Sequence, residues 1–388
     1  MNILFIFQDT IIPHKGGVQR VTEILTRELM HRGHNVVFLS TNDNPAKNEY
    51  KYIVRQYYID CSKDKEYIDE EYKKILKEEN IGFIINQEPR PDTLYLLSKT
   101  PNTIKKITCL HTQPFCTQTY AKEMLKYMQP KNWKEWLYIN FCRLFTGYYK
   151  RQGRNIEIAR LNKSLEVSDC LCLLSDKYIP RVLNYMPNIE KKRLVAVNNP
   201  LTFEHSNNHE CSKEKTIIWV GRQENYPKNI PAFIDIWKII SQNNKDWKAI
   251  IIGDGIDKQY NLEYAKRKAV ERLEFAGVQK EVEQYYKKAS FIGITSINEG
   301  FPMVIVEAMS YACIPCVYNT FESLNDIITN GKNGIIAEPF NKEEIARRIQ
   351  EVIDDNEKFA AMQKAAIEKA KTFSVENIVD KWEEVFKL

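Results

Sequence analysis

Short apolar strand patterns alternate with amphipathic helical patterns along most of this chain, break off once, and then resume. Such alternation calls for parallel sheets with crossover helices, because a parallel neighbour is reached only through a long return segment. Residues 3–7 form an apolar run, a turn containing Gly16 and Gly17 follows, and Val18, Val21, Leu25 and Leu29 then recur at helical spacing. Gly33 offers a helix stop, 36–39 is the next strand run, and further runs lie at 81–85, 107–110, 171–174 and 194–197. Between 202 and 215, in TFEHSNNHECSKEK, apolar periodicity vanishes, as in an exposed connection. Strand runs then return at 217–220, 248–252, 273–276, 291–295 and 314–317. The expected fold is α/β, with two doubly wound Rossmann-like domains at 1–200 and 201–372 facing a central cleft. A last helix over 373–388, capped by Ser374, puts Ile378, Val379, Trp382, Val385 and Phe386 on one face and needs an apolar surface, which the first domain offers.

A length of 388 residues also favours two cores over one, and 43% hydrophobic with 28% charged residues is the composition of a globular chain. The start, MNILFIFQDT, has neither a basic leader nor a cleavage site, and no apolar run reaches the roughly 18 residues of a membrane span. The expected location is cytoplasmic. Nine cysteines without a secretion signal read as reduced, small hydrophobes. Cys313 and Cys316 form a CxxC in YACIPCVY, but no second pair or nearby histidine completes a zinc site, so packing is the expected role. No D-x-D occurs and no metal is expected.

The richest stretch for chemistry is SINEGFPMVIVEAM, 296–309. Glu299 follows a strand, Gly300 permits close backbone approach, and Pro302 suits the first helical position, with Phe301 and Met303 on either side. A helix start at a strand's C-terminal end presents free N–H groups and a positive dipole end, which suit a nucleotide diphosphate. Glu307 comes eight residues after Glu299, so the two carboxylates can flank a ligand and accept paired bonds from the vicinal hydroxyls of a sugar or ribose. Taken alone, the pattern is explained equally well by an acidic helix start and one solvated glutamate. Arg222, closing Val220-Gly221-Arg222, and Lys228 in RQENYPKN sit in the loop after another strand. Two cations there would stabilise the charge that builds on a departing nucleotide diphosphate; the plainer alternative is two solvated surface cations.

The combination of GR…K, GDG at Gly253 to Gly255, and E-x7-E in EGFPMVIVE resembles the GT4 family of retaining glycosyltransferases with the GT-B fold, across essentially the whole chain. The resemblance implies that Arg222 and Lys228 contact the donor diphosphate and that backbone amides from Gly300 through Phe301 and Pro302 to Met303 touch its sugar or phosphate. It implies that Glu299 binds donor-sugar hydroxyls and Glu307 the ribose. Gly16 and Gly17 in HKGGVQRV match the family's N-terminal glycine loop, and His111, ending ITCLH, matches a histidine near the donor sugar. One departure bears on sugar identity: where many relatives carry a glycine-rich loop, this chain reads YNTFESLND at 318–326. Metal-free catalysis with retention by same-face attack is the implied mechanism, with no cofactor beyond the nucleotide-sugar donor. The implied reaction moves a hexose from a UDP- or GDP-sugar to a glycan or lipid-linked glycan in bacterial surface-polysaccharide assembly. A sugar-nucleotide epimerase or hydrolase on the same scaffold, and a non-catalytic docking module, are the alternatives.

The formal charge of +5 is uneven. Residues 120–163 hold ten Lys/Arg against three acidic residues, a local +7, interleaved with Tyr127, Trp133, Trp136, Tyr138, Phe141, Phe145, Tyr148 and Tyr149. Cations beside Trp and Tyr suit an anionic bilayer surface, hence peripheral membrane contact; a helix pair with its aromatics in the core is the other reading. No nucleic-acid-binding module is recognisable, and nucleic acid is not an expected partner.

Overall fold

The computed structural model describes residues 1–12, 16–43, 53–203 and 213–387. Pro13, His14 and Lys15, which precede the glycine pair, and most of the polar connection expected at 202–215 lie outside the described residues. The chain divides into two compact units. The first comprises Met1–Phe115, Gly153–Thr202 and Ser374–Leu388, the second Cys116–Gln152 and Phe203–Phe373. Residues 116–152, assigned to the first domain from their place in the sequence, thus group with the second.

Among the described residues, the first unit holds seven strands: β1 (Asn2–Asp9), β2 (Asn35–Asn42), β3 (Arg55–Tyr58), β4 (Phe83–Asn86), β5 (Lys105–Leu110), β6 (Cys170–Leu173) and β7 (Leu194–Ala196). They form one sheet in the order β3-β2-β1-β4-β5-β6-β7, with every pairing parallel. A parallel sheet is covered on both faces, which is why β1 reads as an unbroken apolar run rather than an alternation. Leu4 and Ile6 join Val37, Leu39, Tyr72 and Ile75 in one core cluster. Phe5 and Phe7, pointing the opposite way, meet Phe38 edge-on with ring centroids 6.1 and 6.2 Å apart.

The helix Val375–Phe386 belongs to this unit. Ser374 caps it, accepting from the Asn377 N–H at 3.3 Å, and Ile378, Val379, Trp382 and Val385 are buried. Its polar flank is tied down by the Arg32 guanidinium, 2.6 Å from Asp380 and 3.1 Å from Glu383.

The second unit holds β8 (Glu214–Val220), β9 (Lys248–Ile252), β10 (Leu273–Gly277), β11 (Ala289–Ile294), β12 (Ile314–Tyr318) and β13 (Ile335–Ala337), in the order β10-β9-β8-β11-β12-β13, all parallel. Ile217, Trp219, Ile251 and Phe291 pack beneath Phe233, Trp237, Ile345 and Ile349. Cys313 and Cys316 are fully buried at β12, in the packing role read from the sequence. Two strands had no counterpart in the sequence reading, β3 and β13. β3 opens on the polar pair Arg55-Gln56, and the three apolar residues of β13 are closed off at once by Glu338, so neither stands out as an apolar run.

Both sheets reverse their strand order once, between β1 and β4 and between β8 and β11. At such a point the loops leaving the two neighbouring strands diverge to opposite faces and leave a crevice, where open α/β sheets bind ligands.

Candidate functional site

In the second unit the loops after β8 and β11 flank the reversal and are joined to each other. The Ile297 N–H donates to the Pro227 carbonyl at 2.8 Å, and the Thr295 hydroxyl to the Lys228 carbonyl at 3.2 Å. This backbone lacing brings the Lys228 ammonium within 2.6 Å of Glu299 Oε1, which also accepts from the Ser296 hydroxyl at 2.7 Å. The pair is sheltered, its side chains 22% and 13% exposed, so the attraction is little screened by water. Of the two cations expected to converge here, Lys228 is the one paired with Glu299. The Arg222 guanidinium is 75% exposed and has Glu224 of its own loop at 3.3 Å. A guanidinium keeps its hydration unless a buried acceptor compensates for losing it.

The helix after Glu299 runs Met303–Ser310, with Pro302 as N-cap rather than first helical residue. Neither a side-chain cap nor an acidic residue in the first turn occupies its N-terminal N–H groups. Gly300 and Phe301 are buried beside it, and Phe301 meets Phe373 edge-on at 5.5 Å. The start of the helix is therefore both anchored and receptive to an anion. Glu307, in its second turn, is only 4% exposed and accepts from the Tyr286 hydroxyl at 3.0 Å. Tyr286 in turn stacks on Tyr311, with ring centroids 6.5 Å apart.

The GDG glycines have a steric cause. A Cβ on Gly253, whose φ is +118°, would lie 2.0 Å from the Gly221 carbonyl oxygen, and one on Gly255 would lie 2.6 Å from that of Gln223. The loops after β8 and β9 run in backbone contact, locked by the Gln223 N–H bonding to Asp254 O at 2.8 Å and the Asn225 N–H to Asp257 Oδ2 at 2.7 Å. Residues 318–326 are held to the same site: the Thr320 hydroxyl donates to Ser296 O at 2.6 Å.

In the first unit Gly16 is the extended N-cap of helix Gly17–His31, and a Cβ on either glycine would meet nothing within 4 Å. Internal packing therefore does not require glycine at these positions. His111 follows β5, and a directional chain of hydrogen bonds sets its tautomer. The Thr22 hydroxyl donates to Val18 O at 2.9 Å, so its oxygen is left to accept from Gln87 Nε2 at 3.2 Å. That turns Gln87 Oε1 toward His111 Nε2, 2.6 Å away, which must then carry the proton. Nδ1 remains a bare acceptor, shielded from solvent and without a hydrogen-bond partner. Burial lowers the imidazole pKa from 6.5 to about 4.

Residues 121–152 form the helices Ala121–Tyr127 and Trp133–Leu144 and the start of Thr146–Val167. The core reading holds only for Tyr149 and, in part, Tyr127; Trp133, Trp136, Tyr138, Phe141, Phe145 and Tyr148 are exposed. No helix among the described residues is long and apolar enough to cross a membrane, and no group of three or more His, Cys, Asp or Glu there could hold a metal ion.

Ser296, Tyr286, Gln87 and Thr22 were not singled out from the sequence. Only Ser296 and Gln87 had a usable signal, as polar residues just beyond the C-terminal end of an apolar strand.

Residues 202–369 match the family model of Glycosyl transferases group 1. An uncharacterised glycosyltransferase of Haemophilus influenzae is 21% identical over 380 residues, 95% of each chain. A Campylobacter jejuni α-1,4-N-acetyl-D-galactosaminyltransferase, named for a diNAcBac-PP-undecaprenol glycan acceptor, is 24% identical over 49% of this chain and 54% of its own. The crystal structure of S. aureus TarM with UDP among its ligands aligns over 100% of both chains, with a TM-score of 0.75 at 12% identity. The span matched by the family model falls within the unit that holds the lysine–glutamate pair and the open helix start; that unit is similar to the glycosyl transferases group 1 family, and the chain is a glycosyltransferase of the GT-B fold.

Proposed function

We propose that this glycosyltransferase moves a hexose, with retention and without a metal ion, from a UDP- or GDP-sugar to a glycan or lipid-linked glycan of a bacterial surface polysaccharide. The observation that carries the reading is the sheltered Lys228–Glu299 pair beside the uncapped helix start at the β8/β11 reversal. A leaving nucleotide diphosphate gains charge as the glycosidic bond lengthens, and fixed N–H groups with one ammonium stabilise that charge at no cost of reorganisation. Arg222 takes the outer phosphate by swinging from Glu224, a change its exposure permits. Glu299 accepts from donor-sugar hydroxyls and Glu307 takes the ribose. UDP in the TarM structure supports a nucleotide donor, and the undecaprenol-linked acceptor of the Campylobacter relative supports a lipid-linked one.

Incubating the purified protein with UDP- and GDP-hexoses, with and without an undecaprenyl-diphosphate glycan and with EDTA throughout, tests the reading. Acceptor-dependent release of nucleotide, with the donor's anomeric configuration in the product by NMR, is the expected result. Turnover that ignores the acceptor would instead make the protein a sugar-nucleotide hydrolase or epimerase.

A further inference from the structure

Helix Trp133–Leu144 is mounted with its apolar face outward. At 3.6 residues per turn, Trp133, Trp136, Leu137, Phe141 and Leu144 fall on one arc, and all five are exposed, Leu144 to 79% and Trp133 to 68%. The opposite arc has two small anchors, Ile139 and Cys142, with Cys142 buried in a minor cluster with Ala121, Leu125 and Tyr149. A helix of a water-soluble protein ordinarily turns its larger apolar stripe inward, and an exposed contiguous one marks a binding surface. This one is firmly held in the outward orientation. Asn132 caps it, accepting from the Glu135 N–H at 3.0 Å, and the Arg143 guanidinium donates twice to Leu125 O, at 3.1 and 3.0 Å. Phe145 continues the face, its ring tilted against that of Phe141 with centroids 4.8 Å apart.

Charge selects the occupant. Lys122, Lys126, Lys131, Lys134, Arg143 and Arg151 are exposed on this segment, against the half-exposed Glu123 and Glu135. The Glu135 carboxylate is partly engaged at the helix start by the Lys131 N–H at 2.7 Å. Two copies of such a face would set cation against cation, whereas an anionic bilayer attracts the lysines and takes Trp and Leu among its headgroups and upper chains. The segment is also wired to the donor site of its own unit. The Tyr127 hydroxyl donates to Asn229 Oδ1, one residue past Lys228, at 2.8 Å, and the Tyr120 hydroxyl to Asn319 O, at the loop after β12, at 3.1 Å.

We propose that Trp133–Leu144 is an interfacial helix that docks the enzyme on an anionic lipid surface, lying in the plane of the bilayer with its outward apolar arc immersed. The inference deepens the reading of a lipid-linked acceptor and rests on it for its purpose, since docking would hold the Lys228 and Thr320 loops close to the surface where such an acceptor is embedded.

The test is flotation of the full-length protein, without donor or acceptor, on vesicles of phosphatidylcholine alone or mixed with phosphatidylglycerol. The expected result is binding to the mixed vesicles only, with the double substitution Leu137→Ser/Leu144→Ser lowering the partition coefficient about a hundredfold or more, since both leucines lose their burial among the lipid chains. Both side chains point outward, so the variant's thermal melt and its sugar transfer to a water-soluble glycan should match the wild type. Failure of the wild type to float, equal flotation of variant and wild type, or a dimer in sedimentation that the substitutions abolish would overturn the proposal. Flotation without sugar transfer would leave docking intact and sink only the catalytic reading.

Discussion

Lys228 Nζ and Glu299 Oε1, 71 residues apart in sequence, meet at 2.6 Å because Ile297 and Thr295 bond the backbone of one loop to that of the other. Neither group alone is remarkable for a loop. Together they fix a positive and a negative charge on either side of the sheet reversal, next to an uncapped helix.

Lys228→Ala is therefore expected to lower kcat about 10²–10³-fold, the usual loss when one preorganised donor to a developing anion is removed. Lys228→Arg keeps the charge and should recover part of the activity. In a double-mutant cycle of Lys228→Ala and Glu299→Gln followed by thermal melting, a coupling of roughly 0.5–3 kcal/mol is expected for groups in direct contact. Additive effects would show that the pair does not hold the loops together.

His111 supplies a pH signature. Its imidazole titrates near 4 in the folded protein and near 6.5 when unfolded, so between those values the unfolded chain binds the additional proton. The contribution of this group to stability is present above about 6.5 and is lost as the pH falls toward 4. Urea titrations across that window should show a slope that His111→Asn flattens. Gln87→Glu, which sets a carboxylate against Nε2, should raise the histidine pKa and shrink the window.

The glycines separate packing from ligand approach. Gly253→Ala forces a Cβ to within 2.0 Å of the Gly221 carbonyl oxygen at a positive φ, and a loss of about 2 kcal/mol or more is expected in denaturant titrations. Gly17→Ala opens onto empty space and should change stability by no more than about 0.5 kcal/mol. If the glycine loop admits the donor, the same Gly17→Ala protein will show a raised donor KM with a normal melt.

Burial pushes the Cys313 thiol up to about 12 and the Cys316 thiol well above its ordinary range, while Cys61 and Cys116 are only half-buried. Iodoacetamide labelling followed by mass spectrometry should modify Cys313 and Cys316 only once the chain unfolds. Labelling of the native protein at either position would contradict a purely packing role.

Where the sequence was legible, one physical rule accounts for it. A strand covered on both faces must be apolar at every position, so runs such as 3–7 and 291–295 announced β1 and β11 to within two or three residues. The same rule hid β3, which opens on Arg55-Gln56, and β13, whose apolar residues stop after three. Spacing within SINEGFPMVIVEAM located the open helix start, because strand, loop and helix are contiguous there.

Local pattern thus determined two parallel-sheet domains, a receptive helix terminus after Glu299 and an aromatic, cationic segment near 120–163. Tertiary structure alone decided that Lys228 and not Arg222 reaches Glu299, that Gln87 and Thr22 set the His111 tautomer, and that the stripe on Trp133–Leu144 faces solvent. Periodicity records which residues share a face of one element. Which element, ion or solvent lies opposite that face depends on contacts between segments tens of residues apart, and the local sequence does not encode them.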